Sequence, residues 1–517
     1  MSIEAILGSI FLCGVGFFIQ WQYGFGLADE GLLWYASQRT FLGEIPILDF
    51  YSYDPGRYYW TSFFFHITGT NDLFSLLLAG AAFGSVGLIV VWYAMSKAGL
   101  PWKTRLACTV LLVIALGFPR HKVYEQSLTL ILCASVFFTL ANIDKTRQWF
   151  IFGVSTGLAA FIGRNHGVYF VAAFLLIILY IFCLNRRTLL LPATAWFAAG
   201  IFAGYSPMLI MLVLQQGFFS AFVNSLLAVS TWQLPIPIPF IWKIDLSGEI
   251  TTTLIQAIAL GLVCILIPLI YAAGICIFLS ESKRGTPNNL VRVIGASCAA
   301  GIPYLHQAFE RADFSHIAQA TLPAYIAAFS ISHYLSSKSK KALSVTLVYI
   351  TSITMLTFWI PNEPGIVYLR QKINDPNSIS AIDIGDKKFY IDRYQADVLL
   401  TVKRAMQQCN IGRNELLAAP HFPGVYAFFN AKAPFWEMYY LYKRPDHFQR
   451  DHIKAISNIK LILLSPEATI DDLENLKLRN TYSLLVEYIH QKYRQITMVG
   501  SPEKIQLFSY TEICSSE

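Results

Sequence analysis

Eleven stretches of mostly apolar residues punctuate the first two thirds of the chain. They lie near 4–21, 73–96, 105–118, 127–141, 149–163, 168–184, 189–212, 251–279, 290–305, 317–335 and 342–360. A helix of about 20 apolar residues crosses a bilayer, and shorter runs are accommodated by snorkelling flanks or local thinning. The pattern predicts a polytopic α-helical membrane protein with about eleven transmembrane helices. After about residue 361 the periodicity changes. "KKFYID" (387–392) alternates as a strand, and 392–409 repeats as an amphipathic helix that stops at "NIG". "NELLAAP", "IKLILLSP" (459–466), "QITMVG" and "KIQLFSY" read as further strands, and "TIDDLENLKLRN" opens on a helix-cap signal. Strands alternating with helices predict a small C-terminal α/β domain. The expected organisation is a transmembrane domain over 1–360, with a first external loop at 22–72, followed by an extracytoplasmic domain over 361–517.

Composition agrees with a membrane chain. Of 517 residues 55% are hydrophobic, 15% aromatic and 14% charged, against about 25% charged in a soluble domain. The net charge of +7 therefore reads as an orientation signal rather than a nucleic-acid footprint, and nucleic acid is not an expected partner. Basic residues gather in alternate loops: Lys97, Lys103 and Arg105; Lys145 and Arg147; Arg186 and Arg187; Lys283 and Arg284; Lys338, Lys340 and Lys341. These loops and the N-terminus are expected on the cytoplasmic side. The first apolar run has no preceding Lys or Arg and no small-residue cleavage site, so it reads as a retained anchor. Nine cysteines are scattered without a CxxC or Cys/His cluster, which argues against a thiolate metal site. Cys409 and Cys514 would pair if the tail is oxidised.

The opposite side receives the first loop, 117–126, 163–167, 215–249, 306–316 and the tail. Arg120, His121, Glu125, Arg164, His166, Arg311, Asp313 and His316 fall there and would ring an outward polar cavity; each alone also fits an interface anchor. The acidic pair Asp29-Glu30 either solvates a loop or supplies a general base for a hydroxyl. In "DFYSYDPGRYYW", Asp49, Asp54 and Tyr58 are the groups that hold sugar hydroxyls and stack on sugar faces, unless the run is an interfacial aromatic belt. Pro55-Gly56 predicts a turn with Arg57 at the bend. An anionic headgroup needs Arg or His at the membrane surface, and Arg57, Arg164, His166, Arg311 and His316 are suitable. On a helix, Asp313 and His316 would share a face. "WQLPIPIPFIW" (232–242) has three prolines at alternate positions and predicts an extended apolar loop, lining a prenyl groove or lying on the membrane.

Taken together these features resemble the class C polytopic glycosyltransferases, which include protein O-mannosyltransferases and the lipid A aminoarabinose transferase. The matching features are Asp29-Glu30 in the first external loop, "FLGEIPILDFYSYDPGRYYW", Glu125 in the second external loop, and "ERADFSHIAQATLP" near a late span. The resemblance covers about 1–360. The turn at Tyr53-Asp54-Pro55-Gly56-Arg57 departs from members with a His or a second Pro there. No W-W-D type motif is present, which argues against whole-glycan transfer to Asn. The resemblance implies a sugar moved from a polyprenyl-phosphate donor to a hydroxyl or phosphate of a lipid, glycan or protein acceptor at the outer face, with inversion. It implies Asp29 as base, assisted by Glu30 or Glu125. Arg57, Arg164, His166, Arg311 and His316 would be donor-phosphate ligands, and Asp49, Asp54, Tyr58 and Asp313 would contact substrate. No cofactor is required by this chemistry, and a divalent metal stays open. A bacterial inner membrane is the expected location, with a periplasmic or extracellular C-terminal domain.

Three rivals make different demands. A transporter or flippase of lipid-linked sugars would carry ionisable residues at mid-span and often repeat symmetry. An O-antigen-ligase-like enzyme would concentrate its chemistry in one large late loop. A non-catalytic scaffold would tolerate replacement of Asp29.

Overall fold

In a computed structural model of the protein, residues 2–230, 235–245, 251–440, 442–469 and 473–510 are described. The first helices are α1 (Ile3–Gln20), α2 (Asp29–Phe41) and α3 (Gly56–Thr68). A long helical run follows: α4 (Leu73–Lys97), α5 (Trp102–Leu116), α6 (Val123–Ala141), α7 (Thr146–Ile162), α8 (Arg164–Cys183) and α9 (Leu190–Leu214). It continues with α10 (Phe218–Ser230), α11 (Thr252–Arg284), α12 (Asn289–Glu310), α13 (Phe314–Ser337), α14 (Lys341–Phe358) and α15 (Pro364–Asn374). The tail contains β1 (Ile379–Ile384), β2 (Lys387–Asp392), α16 (Arg393–Gln408), β3 (Leu416–Ala419), α17 (Pro423–Phe428) and α18 (Asp446–Ala455). It ends with β4 (Leu461–Leu464), α19 (Leu478–Thr481), α20 (Ser483–Lys492), β5 (Arg494–Ile496) and β6 (Gln506–Ser509).

Each of the eleven expected apolar segments lies on a helix. Among the described residues, six helices are long and apolar enough to cross a membrane: α1, α4, α6, α8, α9 and α11. The protein is thus an integral membrane protein. The first loop differs from expectation, because it contains α2 and α3. Asp29 and Glu30 form the first turn of α2 rather than an irregular loop. Pro55 caps α3 and Arg57 sits in its first turn, so the Pro-Gly pair starts a helix instead of bending a loop around Arg57. Pro suits that position because its missing N–H needs no partner there. The stretch 232–242 falls partly outside the described residues; Ile236 pairs with Arg311 in an isolated bridge. The expected helix start in "TIDDLENLKLRN" falls partly outside them too, and a 3-10 turn at Glu474–Leu476 precedes α19. Cys514 also lies outside them, while Cys409 is disulfide-bonded.

Two compact units divide the chain, and neither is a single stretch. One comprises 1–20, 77–216 and 233–367; the other comprises 21–76, 217–232 and 368–517. The first unit is the helical one. Side-chain caps start three of its helices, α11, α12 and α13: Thr251 accepts from the Leu254 N–H, Asn288 from Val291 and Asp313 from His316. Such caps satisfy N–H groups that a helix start leaves without partners. Helices α7 and α9 meet backbone to backbone through Gly153, Gly157, Gly200 and Gly204. A Cβ on Gly153 would lie 2.1 Å from the Phe197 carbonyl, and one on Gly204 would lie 2.2 Å from that of Val154. Small residues four apart let membrane helices approach this closely.

The second unit joins the first-loop residues to the tail. Strands β1 and β2 form an antiparallel hairpin whose two-residue turn uses Gly385 at φ 65°. The main sheet has the order β3-β4-β6-β5, with β3 parallel to β4 and the other pairs antiparallel. Strands β3 and β4 are buried at every position, as their unbroken apolar runs require. Leu417, Ile462, Leu464, Tyr482, Leu485 and Phe508 form the core between this sheet and its helices. Helix α2 is clamped to the same unit. The Tyr35 hydroxyl accepts from the Ala433 N–H at 3.0 Å, Gln38 donates to the Ala427 carbonyl at 3.3 Å, and Trp436 donates to the Ile47 carbonyl at 2.9 Å. The Leu27 N–H donates to Gln395 at 2.7 Å. Gly31 has no room for a side chain, since a Cβ would lie 2.5 Å from the Gly424 nitrogen.

Candidate functional site

In the second unit a polar centre forms around Asp29. The residue opens α2, where backbone N–H groups and the helix dipole favour an anion. Its side chain is exposed, while Glu30 beside it is buried and accepts from the Gly26 N–H at 3.1 Å. One of the two adjacent acids thus binds local backbone and the other faces solvent. The Tyr439 hydroxyl donates to Asp29 Oδ1 at 2.8 Å. Tyr439 is buried; burial, and then the Asp29 charge, raise its pKa well above the usual phenol value, so it stays a hydrogen-bond donor. Its ring meets that of His421 edge-on at 5.2 Å. Burial pushes His421 down to about 4, against the opposing pull of the Tyr440 carbonyl it donates to and of the Asp29 carboxylate. The imidazole is therefore neutral at pH 7.

The stretch 49–58 contributes to the same unit. Asp49 is exposed and accepts from the Ile45 N–H at 2.7 Å, which closes a turn. Asp54 and Arg57 are buried, and the Arg57 guanidinium lies over the Tyr53 ring at 5.3 Å. The Tyr58 hydroxyl accepts from the Tyr53 N–H at 3.0 Å, and Tyr53 lies within electrostatic reach of Asp29. A carboxylate at the start of α2, a buried guanidinium at the start of α3 and the side chains of Tyr53, Tyr58 and Tyr439 are thus held in one unit. This set can take a proton, pair with an anion and stack on a sugar ring.

The first unit holds its own polar residues at one end of the helices: the starts of α6, α8 and α13 and the end of α12. Glu125 is buried in the first turn of α6, 4.0 Å from Lys122. Arg164 opens α8, and two residues on His166 is buried with Nδ1 2.7 Å from the Tyr304 hydroxyl. The Tyr169 ring lies 4.6 Å from that of Tyr304, and its hydroxyl accepts from Gln307 at 2.8 Å. Arg311, Asp313 and His316 come together, but by capping and not by sharing a helix face. Asp313 is the cap of α13; it meets His316 Nδ1 at 2.8 Å and Arg311 Nε at 3.5 Å. Burial pushes the Asp313 carboxyl up, but the bonds and charge of His316 and the charge of Arg311 outweigh it and hold it below the usual carboxylate range. Among the described residues no group of three or more His, Cys, Asp or Glu is arranged to hold a metal ion.

Sequence reasoning missed Tyr439, His421, Tyr304, Tyr169 and Gln307. The first two lie about four hundred positions from Asp29 in a domain whose chemistry no local pattern marks; the hydrogen bond to Tyr439 spans 410 residues. Tyr304 and Gln307 sit one helical turn apart on an apolar helix, where an aromatic residue reads as core.

No protein-family profile matches this chain, and no curated protein matches it. Among solved structures the chain is similar to the apo oligosaccharyltransferase of Archaeoglobus fulgidus, at 11% identity and TM-score 0.49 over 95% of this chain and 72% of that one. The same archaeal enzyme, tethered by a disulfide to an acceptor peptide containing the NVT sequon, gives 11% identity and TM-score 0.46 over 90% and 70%.

Proposed function

We propose that this protein is an integral membrane glycosyltransferase that moves a sugar from a polyprenyl-phosphate donor to an acceptor hydroxyl. The observation that carries the proposal is the exposed Asp29 carboxylate at the start of a packed helix, held by the buried Tyr439 hydroxyl at 2.8 Å. A general base must be accessible to its substrate yet fixed in direction, and this pair meets both needs. The sequence pattern around it supports the donor class.

In the proposed reaction Asp29 takes the proton of the acceptor hydroxyl. The acceptor oxygen forms a bond to the anomeric carbon as the bond from that carbon to the phosphate oxygen breaks. The electron pair leaves with the polyprenyl phosphate, and a single displacement inverts the anomeric centre. Tyr439 holds the carboxylate rotamer, and neutral His421 packs against Tyr439. Arg57, Arg164, His166, Arg311 and His316 are the proposed ligands of the phosphate, whose charge grows as it leaves. Asp49, Asp54, Tyr58 and Asp313 are the proposed substrate contacts, and Glu125 and Glu30 the proposed assisting acids. The acceptor is a lipid, glycan or protein, and the site faces the outer side of a bacterial inner membrane.

The test is consumption of radiolabelled polyprenyl-phosphate sugars by membranes containing the protein or its Asp29→Asn variant at matched expression. Turnover lost in the variant supports the reading. Equal turnover removes Asp29 from the mechanism, and no turnover of any donor by the native protein favours the transporter or scaffold alternatives.

A further inference from the structure

The helical unit contains a second feature that the proposed chemistry does not use. A cavity of about 250 Å³ lies among the C-terminal ends of α6, α8 and α11 and the N-terminal end of α12. Leu140, Leu184 and Phe278 give it apolar walls, and Arg186 and Arg292 are its charged lining. No acid lines it. The Tyr180 and Ser282 hydroxyls, 3.1 Å apart, add a polar edge. Arg292 donates to Asn289 at 2.9 Å, a neutral partner, and among the described residues it makes no ion pair. Arg186 faces Asp144 at 3.3 Å, with the two side chains 48% and 70% exposed. Such a solvent-screened pair competes poorly with a better anion.

Position along the helices narrows the ligand. Arg164 and His166 begin α8 and Tyr180 and Arg186 lie at its other end, so 20 residues of helix separate the polar cluster from this cavity, about 30 Å at 1.5 Å per residue. That is the thickness of a bilayer core. The cavity therefore opens at the opposite membrane surface, the one where the chain's basic loops gather. Its volume is below the roughly 300–1,000 Å³ of pockets that enclose a whole small-molecule ligand. It suits a headgroup whose remainder lies outside along apolar helix surface.

We infer that this cavity is a binding site for the phosphate headgroup of an anionic glycerophospholipid, held by Arg186 and Arg292 at the end of the helices opposite Arg164 and His166. Two guanidiniums over an apolar floor match a phosphate on acyl chains, and the inference is independent of the proposed transferase activity.

The test uses the full chain, purified and delipidated in detergent, with lipid retention read by native mass spectrometry. Phosphatidylglycerol should be retained and phosphatidylcholine of the same chains should not. The double variant Arg186→Gln/Arg292→Gln should retain phosphatidylglycerol about 30-fold less well, each basic residue near a membrane surface contributing roughly a factor of five. Arg186→Lys/Arg292→Lys should keep most of the binding. If the double Gln variant does not fold, the single variants should each lose about fivefold. Equal retention of the two lipids, or undiminished retention by the Gln variants, overturns the inference. Inorganic phosphate that binds with the same arginine dependence while phosphatidylglycerol does not would reassign the site to a soluble phosphate compound and overturn the lipid.

Discussion

The Tyr439 hydroxyl donates to the Asp29 carboxylate at 2.8 Å, across 410 positions of the chain. The bond ties the start of α2 to the C-terminal residues of the same compact unit, and it makes the tail part of any chemistry done by Asp29. Replacing Asp29 by Asn should reduce turnover about 10²–10⁴-fold, the usual contribution of a positioned general base. Tyr439→Phe should cost about tenfold by loosening the carboxylate, with a bond to a charged group worth roughly 1.5–3 kcal/mol. A Tyr439→Phe loss as large as that of Asp29→Asn would instead make the tyrosine a direct participant.

The packing of α2 gives a steric prediction. A Cβ at Gly31 would lie 2.5 Å from the Gly424 nitrogen and 2.6 Å from its Cα, both backbone atoms that cannot rotate away. Gly31→Ala should lower stability by about 1–3 kcal/mol or more. Thermal unfolding in detergent measures it, and an unchanged midpoint would contradict the clamp between α2 and α17.

Helices α7 and α9 should be equally intolerant. Gly157→Leu would drive a side chain into the Ile201 carbonyl, which a Cβ alone approaches to 2.4 Å. The helices should separate, and a cysteine pair placed across them should lose its crosslinking. Retained crosslinking would show that the glycines are not what allows the approach.

Two buried histidines set a pH window. Burial pushes His421 to about 4 and His452 to about 3, from an ordinary 6.5. Each folded-state value lies below the unfolded one, so the unfolded chain binds more protons between them. The stability they contribute is present above about pH 6.5 and is lost as pH falls toward 4 and then 3. His452 stacks on Phe435 at 4.1 Å and meets the Tyr440 hydroxyl at 3.0 Å. His452→Phe should flatten the fall of the melting temperature across this window relative to the native protein. An unchanged slope would show that His452 is charged when folded.

The buried pair of Glu437 and Arg444 should matter by subtraction. Arg444 donates to Glu437 at 2.7 and 2.9 Å, and Tyr482 donates to the same carboxylate, whose side chain is 1% exposed. Arg444→Ala leaves a buried carboxylate without its cation and should cost about 3–5 kcal/mol. The Glu437→Gln/Arg444→Met pair should recover part of that loss, which a double-mutant cycle of unfolding midpoints would read.

The sequence by itself determined the elements whose signal is local. Apolar length located helical segments along the first two thirds of the chain, six of them, among the described residues, long and apolar enough to cross a membrane, because a membrane helix is specified by composition over one contiguous window. Alternation located β2 and the unbroken apolar runs of β3 and β4, and the amphipathic period located α16, because these periods are read within a few turns of chain. The meeting of Arg311, Asp313 and His316 was also legible, since charged residues close together beside an apolar span are conspicuous. The tertiary structure alone decided the rest. The first loop is polar and aromatic without a strong period, so α2 and α3 were hidden; α2 is stabilised by burial against residues hundreds of positions away, as Gly31 against Gly424 and Tyr35 against Ala433 demonstrate, and α3 meets α2 through Phe65 against Phe41. Tyr439 and His421 acquire meaning only from that packing. A hydroxyl or an imidazole has no fixed role until its neighbours set its solvation and its partner, and those neighbours are chosen by the fold and not by adjacent sequence.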